Sequence, residues 1–141
     1  MALTDVLDIA GSGMNAQLVR MNTTASNLAN AGVVSTTEGG AFRARRPVFQ
    51  SIVAANQLSE SSSAGGVRVT EIVTDGSTPR RGFEPDNPLS NEDGYIYASN
   101  VNEVAELVEM LDASRAYQNN VEVVTATRNL LSSTLDVLSA R

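Results

Sequence analysis

The chain has 141 residues, with 16 acidic residues against ten basic ones, and its formal net charge at pH 7 is −6. It contains no Cys and no His, which excludes disulfides, thiol catalysis and Cys-based metal sites and removes the commonest general base. Every basic residue is Arg, and an acidic chain of this kind disfavours nucleic-acid binding. No run of apolar residues approaches the roughly 20 that a bilayer-spanning helix needs.

The first segment, residues 3–30, is predicted to form an amphipathic helix that ends at Asn30-Ala31-Gly32, since Gly adopts the conformation of a helix end at little cost. Gly11 and Gly13 interrupt it, each costing about 1 kcal/mol relative to Ala. Either the helix bends there, or another element packs so closely that these positions must lack a side chain. The apolar residues recur at helical spacing: Leu3, Leu7, Ala10, Met14, Leu18, Met21, Ala25 and Leu28.

The middle segment, residues 33–99, is rich in Gly, Ser, Thr and Pro and predicts a small β-rich lobe of about three strands. The expected strands run from Val48 to Val53, from Val67 to Val73 and over residues 94–97. Asp75-Gly76 is a turn signal after the second strand. Residues 59–66 are expected to form a Ser/Gly-rich loop, and residues 83–93 an extended loop.

The last segment, residues 100–139, predicts a long helix, with Asn100 and Glu103 spaced as in a capping box. Its main stripe is a heptad pattern with two polar breaks, and a second stripe seven residues apart predicts contact with more than one helix. The main stripe is Leu107, Met110, Ser114, Tyr117, Val121, Val124, Arg128, Leu131, Leu135 and Leu138, and the second is Ala116, Val123, Leu130 and Val137.

These two helices are expected to be marginal in a monomer, because pairing with each other leaves the second stripe in water. Neighbouring copies would then complete the fold. The alternative is an intramolecular helical hairpin that covers the β-rich lobe. The predicted division places residues 1–32 and 100–141 in a helical core and residues 33–99 in a middle lobe.

Both ends of the chain resemble the flagellar rod and hook protein family. The N-terminal resemblance lies in Asp8-Ile9-Ala10-Gly11-Ser12-Gly13 and Ala25-Ser26-Asn27-Leu28-Ala29-Asn30-Ala31, followed by Phe42-Arg43-Ala44-Arg45. The C-terminal resemblance lies in Glu84-Pro85-Asp86-Asn87-Pro88, Gly94-Tyr95, Asn100-Val101-Asn102 and Ala113-Ser114-Arg115-Ala116-Tyr117-Gln118-Asn119-Asn120-Val121. The short length is similar to that of the proximal rod members, since distal rod and hook proteins carry a larger middle domain.

This resemblance implies an α+β fold whose long terminal helices form a coiled-coil-like pair within a polymeric helical tube. It implies a structural subunit, not an enzyme, that polymerises into the axial tube, transmits torque and encloses the export channel. Its partners would be copies of itself, other rod proteins, membrane-ring and rod adaptor proteins at the rod base, and the flagellar type III export apparatus. The expected location is the basal-body rod in the periplasm, reached without a cleaved signal peptide.

The expected site is therefore a set of subunit interfaces, with no catalytic residue, metal or cofactor. Buried Asn residues of the shared sequence motif are expected to fix registry at some cost in stability. The helix-seam residues are Leu3, Leu7, Met14, Leu18, Met21, Leu28, Leu107, Met110, Tyr117, Val121, Val124, Leu131, Leu135 and Leu138. The registry residues are Ser26, Asn27, Leu28, Ala29, Asn30, Asn119 and Asn120.

Two other function classes are open to the sequence. A helical adaptor or chaperone-like module would bind one partner reversibly. An enzyme would have to rely on carboxylates such as Asp86, Glu92 and Asp93, with neither small-molecule substrate nor nucleic acid indicated. Glu103, Glu106 and Glu109 share one helix face, which is expected to be solvated and not to bind metal. Arg43, Arg45 and Arg46 are expected to pair with a neighbour's carboxylates or to face solvent.

Overall fold

A computed structural model describes residues 3–52 and 65–139 of the chain. A long helix stands at each end, α1 (Leu3–Ala29) and α2 (Glu103–Ser139). Between them in the sequence lies a small β region, which confirms the predicted α+β class. Its strands, within the described residues, are β1 (Val34–Ser35), β2 (Arg45–Ile52), β3 (Gly66–Thr74), β4 (Arg80–Phe83) and β5 (Tyr95–Ala98), with a short 3-10 turn at Glu38–Gly40.

The strands form two separate antiparallel sheets. One is the β2–β3 hairpin, in which Arg45 pairs with Thr74 and Ile52 with Gly66, with an irregularity between Val48 and Phe49. The other has the order β1–β5–β4. A hairpin alone is marginal in water, and β2 and β3 both pack against α1. The hairpin therefore uses α1 as its support.

The β region differs from expectation in two strands. β4, with the sequence Arg80-Arg81-Gly82-Phe83, pairs with β5 along its whole length, and β1 pairs with β5 through two residues. Neither segment has the apolar alternation that predicts a strand. Each is a short edge strand, and its pairing with β5 holds it in place. The predicted strand end at Val53 and most of the predicted 59–66 loop lie outside the described residues.

The two helices pack antiparallel against each other. Arg20 pairs with Glu109 and Asn27 hydrogen-bonds to Glu106, whereas Gly13 lies against Asn120. The positions that α1 buries fully have small or polar side chains, and the large apolar side chains of the helix pair are at most half-buried. Those positions are Ala10, Ala16, Thr23, Thr24 and Asn27.

The buried face of α2 differs in part from the predicted heptad stripe. At every second step of the stripe, the residue that the structure covers is the one just before the predicted residue. Glu106, Ala113 and Thr127 are buried, and Asn120 is half-buried between them. The predicted stripe has Leu107, Ser114, Val121 and Arg128 at these steps. The steps shared with that stripe, Met110, Tyr117, Val124 and Leu131, are half-buried.

The start of α2 corrects one local prediction. Asn102, not Asn100, caps the helix, since its Oδ1 accepts hydrogen bonds from the N–H groups of Val104 (3.1 Å) and Ala105 (3.2 Å). Asn100 instead joins two segments of the middle region. Its Oδ1 accepts from the Ala44 N–H at 2.7 Å, and its Nδ2 donates to the Ser77 hydroxyl at 2.8 Å.

A small apolar core lies where the ends of the two helices meet the β region. It consists of Ala31, Ala44 and Val101, each at most 3% exposed, with Phe42 packed against them. Three residues of this size bury little apolar area, so polar contacts must carry much of the specificity of this packing. Among the described residues, no helix is long and apolar enough to cross a membrane.

The two glycines of α1 have different surroundings. A Cβ added at Gly13 would lie 3.1–3.3 Å from side-chain atoms of Asn120, whereas one at Gly11 would meet no described atom within 4 Å. α1 continues through both positions. Of the two explanations that the sequence left open, close packing therefore applies at Gly13.

We expect Gly11→Ala to stabilise the protein by about 1 kcal/mol, because Ala has the higher helix propensity and the added methyl group meets free space. Gly13→Ala should gain clearly less or destabilise, because Asn120 must move. Urea denaturation of the purified full-length variants measures the free energy of unfolding. Equal stabilisation by the two substitutions would show that the helices do not approach closely at Gly13.

Asp75 follows β3 and supplies a pH-dependent contact. Its Oδ1 accepts the Ser77 N–H at 2.9 Å, while its own N–H donates to the Ala44 carbonyl at 2.7 Å. The Ser77 N–H and hydroxyl, and after them the positive charge of Arg46, hold the pKa of Asp75 below its ordinary value. A carboxyl group whose pKa is lower in the folded state stabilises the fold at pH values above its unfolded-state pKa of about 3.9. This stabilisation is lost as the pH falls through the folded-state pKa.

The stability advantage of the wild type over Asp75→Asn should therefore shrink as the pH falls below about 4. Paired urea titrations near neutrality and at about pH 2.5 measure both proteins under matched conditions. An advantage that stays constant across this range would contradict a role for the ionised carboxylate.

Candidate assembly interface

The centre of the molecule is the helix junction, which we define as Asn27, Arg45, Arg46 and Glu106. The side chain of Asn27 binds the backbone of β2 twice. Its Nδ2 donates to the Arg45 carbonyl at 2.9 Å, and its Oδ1 accepts the Arg45 N–H at 2.9 Å. Asn27 is 1% exposed, so both backbone groups are satisfied away from water.

The same Asn27 amide also reaches α2. Its Nδ2 donates to Glu106 Oε2 at 3.0 Å, and Arg46 Nη2 donates to Glu106 Oε1 at 3.3 Å. Glu106 is 1% exposed, and a buried carboxylate is tolerated only when it is paired and hydrogen-bonded. One turn further along α2, Arg20 Nε donates to Glu109 Oε2 at 2.8 Å.

The helix junction fixes how three segments of the chain meet. Because Asn27 is on α1, Arg45 and Arg46 are on β2 and Glu106 is on α2, a one-turn slip of either helix would leave a buried carboxylate and backbone groups without partners. The expectation of a solvated Glu103–Glu109 face is therefore wrong for Glu106. Arg46 pairs within its own chain, and Arg43 lies 3.7 Å from Glu38.

In contrast, two stretches of α2 carry apolar side chains that the chain itself leaves uncovered. Near the start of the helix, Val104, Leu107, Val108 and Leu111 follow an i, i+3, i+4, i+7 pattern and are 52–71% exposed. Near its end, residues 132–139 are exposed at every position, including Leu135 and Leu138. Uncovered apolar side chains grouped in this way are typical of a contact surface.

Known protein families match this chain in two regions, one covering most of α1 and one covering most of α2. Residues 7–34 match the family model described as flagella basal body rod protein, and residues 92–137 match the one described as flagellar basal body rod FlgEFG protein C-terminal. The flagellar basal-body rod protein FlgC of Yersinia enterocolitica is 44% identical over 135 residues, covering 96% of this chain and 97% of that protein.

The chain belongs to the FlgC family of flagellar basal-body rod proteins. The FlgC protein of Salmonella typhimurium is 40% identical over 96% of this chain and 97% of its own length. That of Borreliella burgdorferi is 31% identical over 98% and 99%. These matches confirm the resemblance to flagellar rod proteins drawn from the sequence, and the chain is a structural subunit of the flagellar rod.

The seam residues predicted for this FlgC-family chain divide between two environments. Those that face outward are available for contact with another molecule, whereas the half-buried ones are partly covered by the chain itself. The exposed ones are Leu3, Leu18, Leu107, Val121, Leu135 and Leu138, and the half-buried ones are Leu7, Met14, Met21, Leu28, Met110, Tyr117, Val124 and Leu131.

The residues of the predicted registry set also differ in their surroundings. Asn27 is buried in the helix junction, whereas Asn30 and Asn120 donate to carbonyls of their own helices, those of Ser26 at 2.8 Å and Ala116 at 2.9 Å. Ser26 and Leu28 are half-buried, and Ala29 and Asn119 are exposed. Asn27 is thus the member that links separate elements of this FlgC-family chain.

Sequence reasoning missed Glu106 as a buried partner and missed the outward face formed by Val104, Val108 and Leu111. These residues and Leu107 have helical spacing in the sequence, but of that group the longer heptad stripe includes only Leu107. Among carboxylates proposed for an enzyme, Asp86, Glu92 and Asp93 are exposed. The described part of the chain contains no group of three acidic side chains placed to hold a metal ion.

Asn27→Asp should destabilise this FlgC-family protein by about 3 kcal/mol, because it replaces the amide donor with a carboxylate oxygen beside the buried Glu106 carboxylate. Asn119→Asp introduces the same change at an exposed position and should cost less than about 0.5 kcal/mol. Urea denaturation of the two purified variants tests the difference. Similar costs for both would rule out the helix junction as a determinant of stability.

Proposed function

We propose that this chain is a subunit of the proximal rod that polymerises through its terminal helices into the axial tube. The tube transmits torque and encloses the export channel. Residues 1–32 and 100–141 form the helical core of the assembly, and residues 33–99 form a middle lobe. The subunit acts in the periplasm, is exported without signal cleavage and has no catalytic activity.

One observation carries the proposal of polymerisation, namely the uncovered apolar face of α2. The pairing of α1 with α2 buries small and polar side chains, whereas Leu107, Leu111, Leu130 and Leu135 remain 52–64% exposed. Each such side chain contributes on the order of 2 kcal/mol when it is fully buried. Since these side chains are spread along most of the length of α2, helices of neighbouring subunits are suited to cover them.

The proposed partners are those that the resemblance to flagellar rod proteins implies, and the uncovered apolar side chains of α2 support contacts with further subunits. Copies of this chain and of other rod proteins cover the apolar faces, and adaptor proteins of the membrane ring hold the rod base. The flagellar type III export apparatus receives the chain before assembly. The predicted seam and registry residues, including the exposed Leu3, Leu18 and Leu138, belong to these contacts.

Electron microscopy of basal bodies from a strain that lacks this gene tests the proximal position. We expect the membrane ring to remain while the rod and hook are lost, and a plasmid copy of the gene to restore both. An intact rod in the deletion strain would refute the proposal and would favour a reversible adaptor.

Cysteine labelling tests the interface directly, because the chain contains no Cys and therefore gives no background. Leu130 is 59% exposed, so Leu130→Cys should react readily with a maleimide in the purified monomer. In isolated basal bodies it should be protected, and dissociation of the rod in denaturant should restore labelling. Equal labelling in monomers and basal bodies would remove the outer face of α2 from the interface.

A further inference from the structure

A cavity of about 360 Å³ opens beside the helix junction, where α1, β2 and α2 meet. Its lining includes three arginines, Arg20, Arg45 and Arg46, together with Glu106, Glu109 and Phe49. We call it the arginine pocket. It combines a wall of positive charge with an apolar surface, which is the composition of a site for an acidic protein segment.

The charges of the arginine pocket do not balance. Arg20 pairs with Glu109 and Arg46 with Glu106, whereas the Arg45 guanidinium forms no ion pair with any residue in the described ranges. It lies over the Phe42 ring, with the Arg45 Cζ atom 5.9 Å from the ring centroid. Asn27 holds both polar groups of the Arg45 backbone, which fixes the point from which the side chain extends. A guanidinium without an ion-pair partner is suited to bind a carboxylate through two parallel hydrogen bonds.

A complementary surface lies elsewhere on the same chain, in the acidic loop, which we define as residues 84–94 between β4 and β5. Asp86, Glu92 and Asp93 are exposed on this loop and form no ion pair with a described residue. Phe83 at its base is 63% exposed and Leu89 within it is 47% exposed. The loop thus offers unpaired carboxylates beside apolar side chains.

The acidic loop is held in one conformation by its own hydrogen bonds. Asn87 Oδ1 accepts the Leu89 N–H at 3.0 Å, and Asn91 Oδ1 accepts the Tyr95 N–H at 2.8 Å. The ring centroids of Phe83 and Tyr95 lie 5.1 Å apart in an edge-to-face contact. A loop already ordered in this way loses little conformational entropy when it binds.

Within one chain the loop and the pocket lie at opposite ends of β5. The loop precedes Tyr95, whereas the pocket involves α2, which begins after Ala98 at the other end of the strand. The loop of one molecule is therefore not the group that fills its own pocket. A second copy presents an identical loop with the required charge and apolar surface.

We propose that the arginine pocket of one subunit binds the acidic loop of a second copy, with Arg45 paired to a loop carboxylate and Phe49 packed against the apolar side chains of the loop. Two different patches of the same chain then meet head to tail. Such a contact builds rings or helical polymers and not closed dimers. The inference rests on the proposed function and specifies a contact between middle lobes in addition to the helix contacts.

Charge reversal in a strain lacking the gene tests this pairing. Arg45→Glu, Asp86→Arg, Glu92→Arg and Asp93→Arg would be expressed singly, and each acidic-loop variant would also be combined with Arg45→Glu. Electron microscopy of basal bodies and swimming in soft agar measure the outcome. Arg68→Glu is the matched control, because Arg68 is exposed and bonded to Gln50 at 2.8 Å on the hairpin, away from the pocket.

We expect Arg45→Glu to reduce rod number and swimming strongly, Arg68→Glu to change them little, and one of the double reversals to restore both. If wild-type complementation succeeds but no double reversal improves on Arg45→Glu, this pairing is wrong while the proposed function stands. If the deletion strain itself retains its rod, the proposed function fails first. The two failures are therefore distinguishable.

If thermal unfolding shows that Arg45→Glu does not fold, a disulfide test replaces it. Arg45→Cys, placed in the cysteine-free chain and combined in turn with Asp86→Cys, Glu92→Cys or Asp93→Cys, should give a ladder of linked oligomers for at least one pair when basal bodies are oxidised. Arg68→Cys combined with the same loop substitutions should give only monomer. A ladder restricted to pairs that contain Arg45→Cys supports the contact, and its absence from all three pairs overturns it.

Discussion

The fold depends on one side-chain amide, that of Asn27. Its oxygen and nitrogen satisfy both polar backbone groups of Arg45, and the same nitrogen reaches the buried Glu106. The apolar core beside it consists of Ala31, Ala44 and Val101, too few atoms to select one arrangement of helices and strands by packing alone. Directional hydrogen bonds supply that selection, since a buried group without its partner costs more than the bond itself contributes.

This division of roles explains why many large apolar side chains of α2 remain exposed. If leucines specified the pairing of the helices, the monomer itself would bury them. Small residues such as Gly13 and Ala113 line the closely packed part of the pair instead, and Leu107 and Leu135 stay exposed. The subunit thus keeps its internal contacts chemically distinct from the contacts that we propose between subunits, which limits confusion between the two.

Much of the fold was predictable from the sequence, for identifiable reasons. Helical periodicity located both helices, and the absence of Gly and Pro after Gly94 predicted the length of α2. The packed face of α2 was not predictable, because periodicity shows which residues are apolar but not whether the nearest partner covers them. Glu106 resembled a surface residue until the structure placed Asn27 and Arg46 beside it. β4 was missed because it becomes a strand through its pairing with β5, and the local strand propensity of its residues does not indicate that pairing.

The unequal lengths of the helices have a mechanical consequence. α1 has 27 residues and α2 has 37, so at about 1.5 Å per residue the second is longer by roughly 15 Å. In the tube that we propose, the part of α2 that extends past α1 would reach from its own helix pair towards a neighbouring subunit. A twisting load would then pass between subunits through the continuous backbone of α2.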